Sequence, residues 1–180
     1  YKGAVDLRHA LYQKGIFKSS DLGVKTISIG NITVGGTGKT PLTELLVQEV
    51  EQIVGRGAVG ILSRGYGRQT KGFLWVEPTN KSTEVGDEPL MLRRKLPHAV
   101  VAVCEDRLAG LLRMRNECPD LKWVVCDDAL QHRALKPTLS MLAIDATQPI
   151  GSDRLLPLGR LRDLTSRMVE FDAAIVTRLE

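Results

Sequence analysis

Gly35-Gly36-Thr37-Gly38-Lys39-Thr40 stands between an apolar, β-branched run, Val24-Lys25-Thr26-Ile27-Ser28-Ile29, and an amphipathic stretch from Pro41 to Val54. Strand, glycine-rich turn and helix in that order build a cradle for phosphate, because the N–H groups of the turn and of the first helical turn converge on the same oxygens. Lys39 is placed to reach β- and γ-phosphates, and Thr40 to offer a hydroxyl to Mg²⁺. The front of the loop departs from the common pattern G-x-x-x-x-G-K-[ST], which puts glycine where this chain has Thr33, and from a variant with lysine where it has Val34. The candidate nucleotide-binding residues are Thr33, Val34, Gly35, Gly36, Thr37, Gly38, Lys39 and Thr40. A glycine turn with no ligand is the plain alternative.

Strand and helix signals alternate from there onward. Leu42, Leu45, Leu46, Val50 and Ile53 recur at helix-face spacing, with Pro41 tolerated in the first turn. Strands are expected at 58–62, 99–103, 123–126, 139–144 and 173–176, with a short extended piece at 73–77. Helices are expected at 87–96 and at 105–116, the latter with Leu108, Leu111 and Leu112 turned inward. Such alternation predicts crossover units and an α/β fold with a mainly parallel sheet covered by helices on both faces.

At 180 residues, 43% apolar and 26% charged, the chain suits one soluble α/β domain. Its formal charge of +4 favours an anionic ligand or membrane surface, or is simply a solvated basic face. Aromatic residues make up 4%, with no pattern for stacking bases, so no nucleic-acid partner is expected, and no protein partner is evident. Cys104, Cys118 and Cys126 form no C-x-x-C pair, and their odd count fits a reducing compartment. No apolar stretch approaches the roughly 20 residues of a membrane helix, and no secretory leader is read. Residues 1–23 form an amphipathic N-terminal segment, with Ala4, Leu7 and Leu11 on one face and Lys2, Arg8, Lys14 and Lys18 adding charge. It suits either a helix packed on the domain or one lying on an anionic membrane surface.

Trp123-Val124-Val125-Cys126-Asp127-Asp128 is an apolar strand ending in two acids. Adjacent buried carboxylates repel unless a cation relieves them, so this is the expected metal-holding edge; a solvated turn is the alternative. Gly86-Asp87-Glu88-Pro89 opens a helix, and Asp87 reads either as its N-cap or as a carboxylate able to accept a hydroxyl proton. Cys104-Glu105-Asp106-Arg107 reads as another helix start. In Arg154 to Asp163, three arginines occur in a non-periodic stretch, as phosphate contacts or solvent-facing charges. His132, in Gln131-His132-Arg133, reads as structural when taken alone.

Taken together, these segments resemble the tetraacyldisaccharide 4′-kinase family of lipid A biosynthesis. The resemblance rests on Ser28 to Pro41, Leu62-Ser63-Arg64-Gly65-Tyr66-Gly67, Gly86-Asp87-Glu88-Pro89, Glu105-Asp106-Arg107, Asp127 to His132 and Arg154 to Arg162, all in the family's order. It implies a P-loop NTPase-like three-layer sandwich and ATP- and Mg²⁺-dependent phosphorylation of the 4′-hydroxyl of a lipid-linked glucosamine disaccharide. It implies a peripheral enzyme on the cytoplasmic face of the bacterial inner membrane, with an anionic membrane surface as partner of residues 1–23. It makes Asp87 the general base, Glu88 and Asp127 metal ligands with Thr40, and Asp128 and Arg162 catalytic groups beside Asp163. Ala129 stands where the family has Gly, and Asp163-Leu164 where it has Glu-Pro. It also implies that 24–180 is a kinase domain lacking the family's C-terminal domain, which carries a histidine paired with the base. The competing expectations are a P-loop nucleotide-binding switch, which lacks an Asn-Lys-x-Asp motif here, and an inactive nucleotide-binding fragment.

Overall fold

The computed structural model describes residues 24–128, 135–148 and 153–178. The amphipathic segment 1–23, Ala129 and Gln131-His132-Arg133 lie outside the described residues.

Seven strands form one sheet: β1 (Lys25–Gly30), β2 (Val59–Ser63), β3 (Leu74–Trp75), β4 (Val100–Val103), β5 (Trp123–Cys126), β6 (Leu139–Asp145) and β7 (Ala173–Thr177). Their spatial order is β3-β4-β2-β5-β1-β6-β7. All neighbours pair in parallel except β3 on β4, which is antiparallel at the edge. Parallel strands buried on both faces read as continuous apolar runs, and β2 and β5 are such runs.

Successive side chains on each strand enter opposite layers. Ile61, Val101, Val103 and Val125 join Leu42 and Val47 of α1 (Lys39–Val54) and Leu90 and Leu92 of α3 (Asp87–Lys95) on one face. Leu62, Ala102, Val124 and Cys126 join Leu111 and Met114 of α4 (Arg107–Glu117) on the other. The three-layer α/β sandwich expected from the alternation is therefore present. A smaller cluster of Ile32, Leu142 and Leu161 closes the β6 side. Among the described residues no helix is long and apolar enough to cross a membrane.

Element boundaries fall within two residues of the sequence reading, but two helical faces are rotated from it. In α1 the inward stripe is Leu42, Leu46, Val47, Val50 and Val54, so Leu45 (52% exposed) and Ile53 (82% exposed) lie one residue, about 100°, off the core. In α4, Leu112 is 36% exposed, and Met114, three residues after Leu111, takes the core position. The short α2 (Ser82–Val85) and a 3₁₀ turn at Thr165–Glu170 have no counterpart in the sequence reading. Both carry too few residues to set up a periodic pattern.

The rotated face of α4 gives a direct test. Leu111→Ala should cost about 2–5 kcal/mol in urea unfolding by leaving a cavity. Leu112→Ala should stay within about 0.5 kcal/mol; equal losses would restore the unrotated face.

Candidate active site

In an open parallel sheet, ligands gather at the carboxyl ends of the strands, where crossovers diverge. Here β1 leads into the phosphate loop, β5 into Asp127 and Asp128, and β2 into the Ser63–Gly67 turn. Helix α1 begins at that edge with Gly38 in a left-handed conformation (φ 73), no side-chain cap and no acidic residue in its first turn. Helix α4, by contrast, is capped by Asp106, which accepts from the N–H groups of Leu108 and Ala109. The open end of α1 leaves its dipole and N–H groups for an anion. Gly38 is also needed for room, since a Cβ there would lie 3.1–3.2 Å from Thr177 at the end of β7.

The mismatched front of the loop has its own support. Val34 N–H donates to Arg160 O and Arg162 N–H to Ile32 O, each at 2.7 Å, around a Thr33–Leu161 bridge. This pairing sets Arg162 beside the loop. Its guanidinium forks onto Asp128, at 2.9 Å to Oδ1 and 3.2 Å to Oδ2, and donates to Asn31 Oδ1. Lys39 Nζ also donates to Asn31 Oδ1 at 3.2 Å and lies 3.8 Å from Asp128 Oδ1. Asn31 is fully buried and steadied by its own Nδ2, which donates to Thr33 O at 2.7 Å.

The paired aspartates differ sharply in their surroundings. Burial alone disfavours the ionised form of Asp128, but the Arg162 hydrogen bonds, then the charges of Lys39 and Arg162, outweigh it and hold its carboxyl below the usual range. Burial, reinforced by the charges of Glu88 and Asp128, pushes Asp127 up to about 6. Its Oδ1 is buried without a hydrogen-bond partner. A buried carboxylate with an open oxygen, facing two like charges, fits a hard divalent cation. Among the described residues no three acids, histidines or cysteines form a complete metal cluster. An open Asp127 oxygen beside the phosphate loop suits an ion that also keeps water and phosphate oxygens, as Mg²⁺ does.

Lys39, Asp87, Glu88, Asp127, Asp128 and Arg162 all border one cleft of about 620 Å³, together with Ser63, Arg64 and Tyr66. Thr37 to Thr40 line the adjoining recess of about 700 Å³, and Glu88 borders both spaces. Asp87 is the first residue of α3 rather than its cap: Gly86 holds the cap position, without a side-chain hydrogen bond. The capping alternative for Asp87 is thereby corrected, and its exposed carboxylate borders the cleft. Gly86, at φ 93, brings it there by a close approach in which a Cβ would sit 3.1 Å from Tyr66 O.

With this geometry, the sequence matches the model of LpxK, tetraacyldisaccharide-1-P 4'-kinase, over residues 1–180. The chain belongs to that family. It is 43% identical to the tetraacyldisaccharide 4'-kinase of Cytophaga hutchinsonii, covering 99% of this chain and 50% of the relative. For that of Parabacteroides distasonis the identity is 40%, covering 100% and 48%. The fold matches the crystal structure of the "apo" form of LpxK from Aquifex aeolicus in complex with ATP, with a TM-score of 0.88 and 36% identity, over 97% of this chain and 55% of that one. The chain thus spans about half the length of the curated relatives it matches.

The arginine stretch divides in the fold. Arg162 borders the cleft, whereas Arg160 is tied to Asp153 at 2.8 Å. Asp163, grouped with the active site by resemblance, is buried and ion-paired with Arg167. Sequence reasoning passed over Asn31 and Arg178, although a polar Asn31 between apolar Ile29 and Ile32 is a signal of buried polarity.

Asp127 predicts a pH effect. The folded chain keeps this proton up to about pH 6, above the ordinary value of 3.8, so stability falls as pH rises between them. Without divalent cations, Asp127→Asn should raise the thermal midpoint at pH 7, and the gain should fade toward pH 4. An unchanged midpoint at pH 7 would count against the strain assigned to this carboxylate.

Proposed function

We propose that the full-length protein is an ATP- and Mg²⁺-dependent kinase that phosphorylates the 4′-hydroxyl of a tetraacyl glucosamine disaccharide 1-phosphate in lipid A biosynthesis. One observation carries the reading: in a chain of this family, a single cleft beside the phosphate loop gathers Lys39, Arg162, Asp87 and the acids Glu88, Asp127 and Asp128.

The loop N–H groups and the open end of α1 hold the triphosphate, and Lys39 contributes a point charge at the β- and γ-phosphates. Thr40, Glu88 and Asp127 are the residues that would hold Mg²⁺, whose chemistry when bound is to neutralise phosphate-oxygen charge. Asp128 fixes Arg162 and Lys39 through the contacts described, so that two cations face the transferring group. Asp87 accepts the proton as the 4′-oxygen bonds to the γ-phosphorus and the bond to the β,γ-bridging oxygen breaks, releasing ADP. A tetraacylated acceptor sits in a membrane and ATP is cytoplasmic, so the enzyme works peripherally at the cytoplasmic face of the inner membrane. The formal charge of +4 suits an anionic membrane surface there.

Radiolabelled ATP and the acylated disaccharide, given to the full-length protein, should yield the 4′-phosphorylated product; ATP binding with no transfer would sink the proposal. Lys39→Ala should abolish ATP binding or turnover in the same assay. Asp87→Ala should lower kcat by about 10²–10⁴-fold, while its melting curve shifts by no more than about 1 kcal/mol, the scale of a lost helix-dipole contact. A large stability loss with kcat intact would return Asp87 to a structural role.

A further inference from the structure

Arg178, just beyond β7, has a left-handed backbone (φ 57), which a non-glycine residue adopts only where its surroundings hold it. Thr177 Oγ1 donates to Thr37 O at 2.9 Å, and Ala146 N–H donates to Thr177 O at 3.0 Å, so the strand end is fastened to the phosphate loop and to β6. Arg178 Nη1 donates at 2.8 Å to Oδ2 of Asp145, whose other oxygen accepts from the Thr147 N–H and hydroxyl. Asp145 is buried, whereas the Arg178 side chain is half exposed. Its Nη2 lies 3.6 Å from where a Cβ on Gly36 would be, which sets the guanidinium over the loop.

Arg178 forms one border of the 700 Å³ recess, whose remaining wall includes Pro41, Leu42, Leu45, Ile175 and Val176. Leu45 and Val176 are 52% and 45% exposed, so core packing does not explain them. A space with a phosphate cradle at one side, aliphatic walls and a planar cation suits a molecule with phosphates and a flat aromatic base. Guanidinium planes stack on aromatic rings, and a lysine cannot reproduce that.

We propose that Arg178 positions the nucleoside of the bound nucleotide by stacking on its base, and that Asp145 fixes the plane of the guanidinium. This rests on the nucleotide binding proposed above. In the full-length protein, Arg178→Ala should weaken ATP binding about tenfold while leaving inorganic tripolyphosphate binding unchanged, both read by calorimetry. Arg178→Lys should behave like the alanine variant, and Asp145→Asn should weaken ATP in the same direction. The KM for the acceptor should not move. Unchanged ATP affinity, an equal loss for tripolyphosphate, or full rescue by lysine would each overturn the assignment. A wild-type protein that binds no ATP would instead overturn the proposed function itself.

Discussion

Two backbone hydrogen bonds, Val34 N–H to Arg160 O and Arg162 N–H to Ile32 O, hold the rest of the site in register. A phosphate loop is useful only if its N–H groups stay convergent in the absence of a regular ladder, and glycines by themselves favour many conformations. Here the entrance of the loop is paired to a distant segment, and its exit is pressed against Thr177. The same pairing carries Arg162 to Asp128, so loop shape and charge placement have one cause. This also accounts for Thr33 and Val34: they work through backbone pairing, and neither takes the positive φ that would require glycine.

Charge at the sheet edge is arranged so that neither sign dominates. Two adjacent aspartates with Glu88 nearby would strain one another, and Lys39 and Arg162 offset that strain at Asp128 while leaving Asp127 its raised pKa. Arg107 adds a third cation from below. It is buried, donates to Cys104 O at 2.8 Å, and approaches Asp127 O at 3.4 Å. Burial outweighs the neighbouring acids and lowers its pKa, so its charge is held at a cost that the acids reduce. The imbalance is therefore concentrated on Asp127, whose Oδ1 is buried without a hydrogen-bond partner.

Most of the fold was legible because parallel strands buried on both sides leave unbroken apolar runs, such as Val124-Val125-Cys126, that need no tertiary information to recognise. Helical faces were less legible: Leu111 and Leu112 are equally apolar, and only packing against β2 and β4 chooses between them. In the site, Lys39, Asp127 and Asp128 could be found because strand and glycine context are local. The distinction among Arg160, Arg162 and Asp163 could not, since it rests on tertiary partners: Asp153 takes Arg160, Asp128 takes Arg162 and Arg167 takes Asp163. Arg178 carried no motif at all; its place over Gly36 follows from the position of β7 in the sheet together with the Thr177–Thr37 and Arg178–Asp145 contacts.

The two sides of the cleft are built with different tolerances. Loop and α1 form one wall around backbone donors, whereas the opposite wall joins the Ser63–Gly67 turn to the α2–α3 junction. That junction is tight: Gln69 N–H donates to Thr83 O at 2.8 Å, and a Cβ on Gly65 would lie 2.9 Å from Val85 O. Arg68, packed beneath, pairs with Glu105 at 2.6 Å and also donates to Gly72 O. Asp87 therefore belongs to a wall whose turns cannot shift independently, and it shares with Lys39 the cleft in which the proposed transfer requires a hydroxyl and a phosphoryl group to align. Such alignment depends on fixed geometry to within about an ångström. The wall bearing Asp87 is accordingly locked by backbone contacts, while Tyr66, on its rim, is 90% exposed.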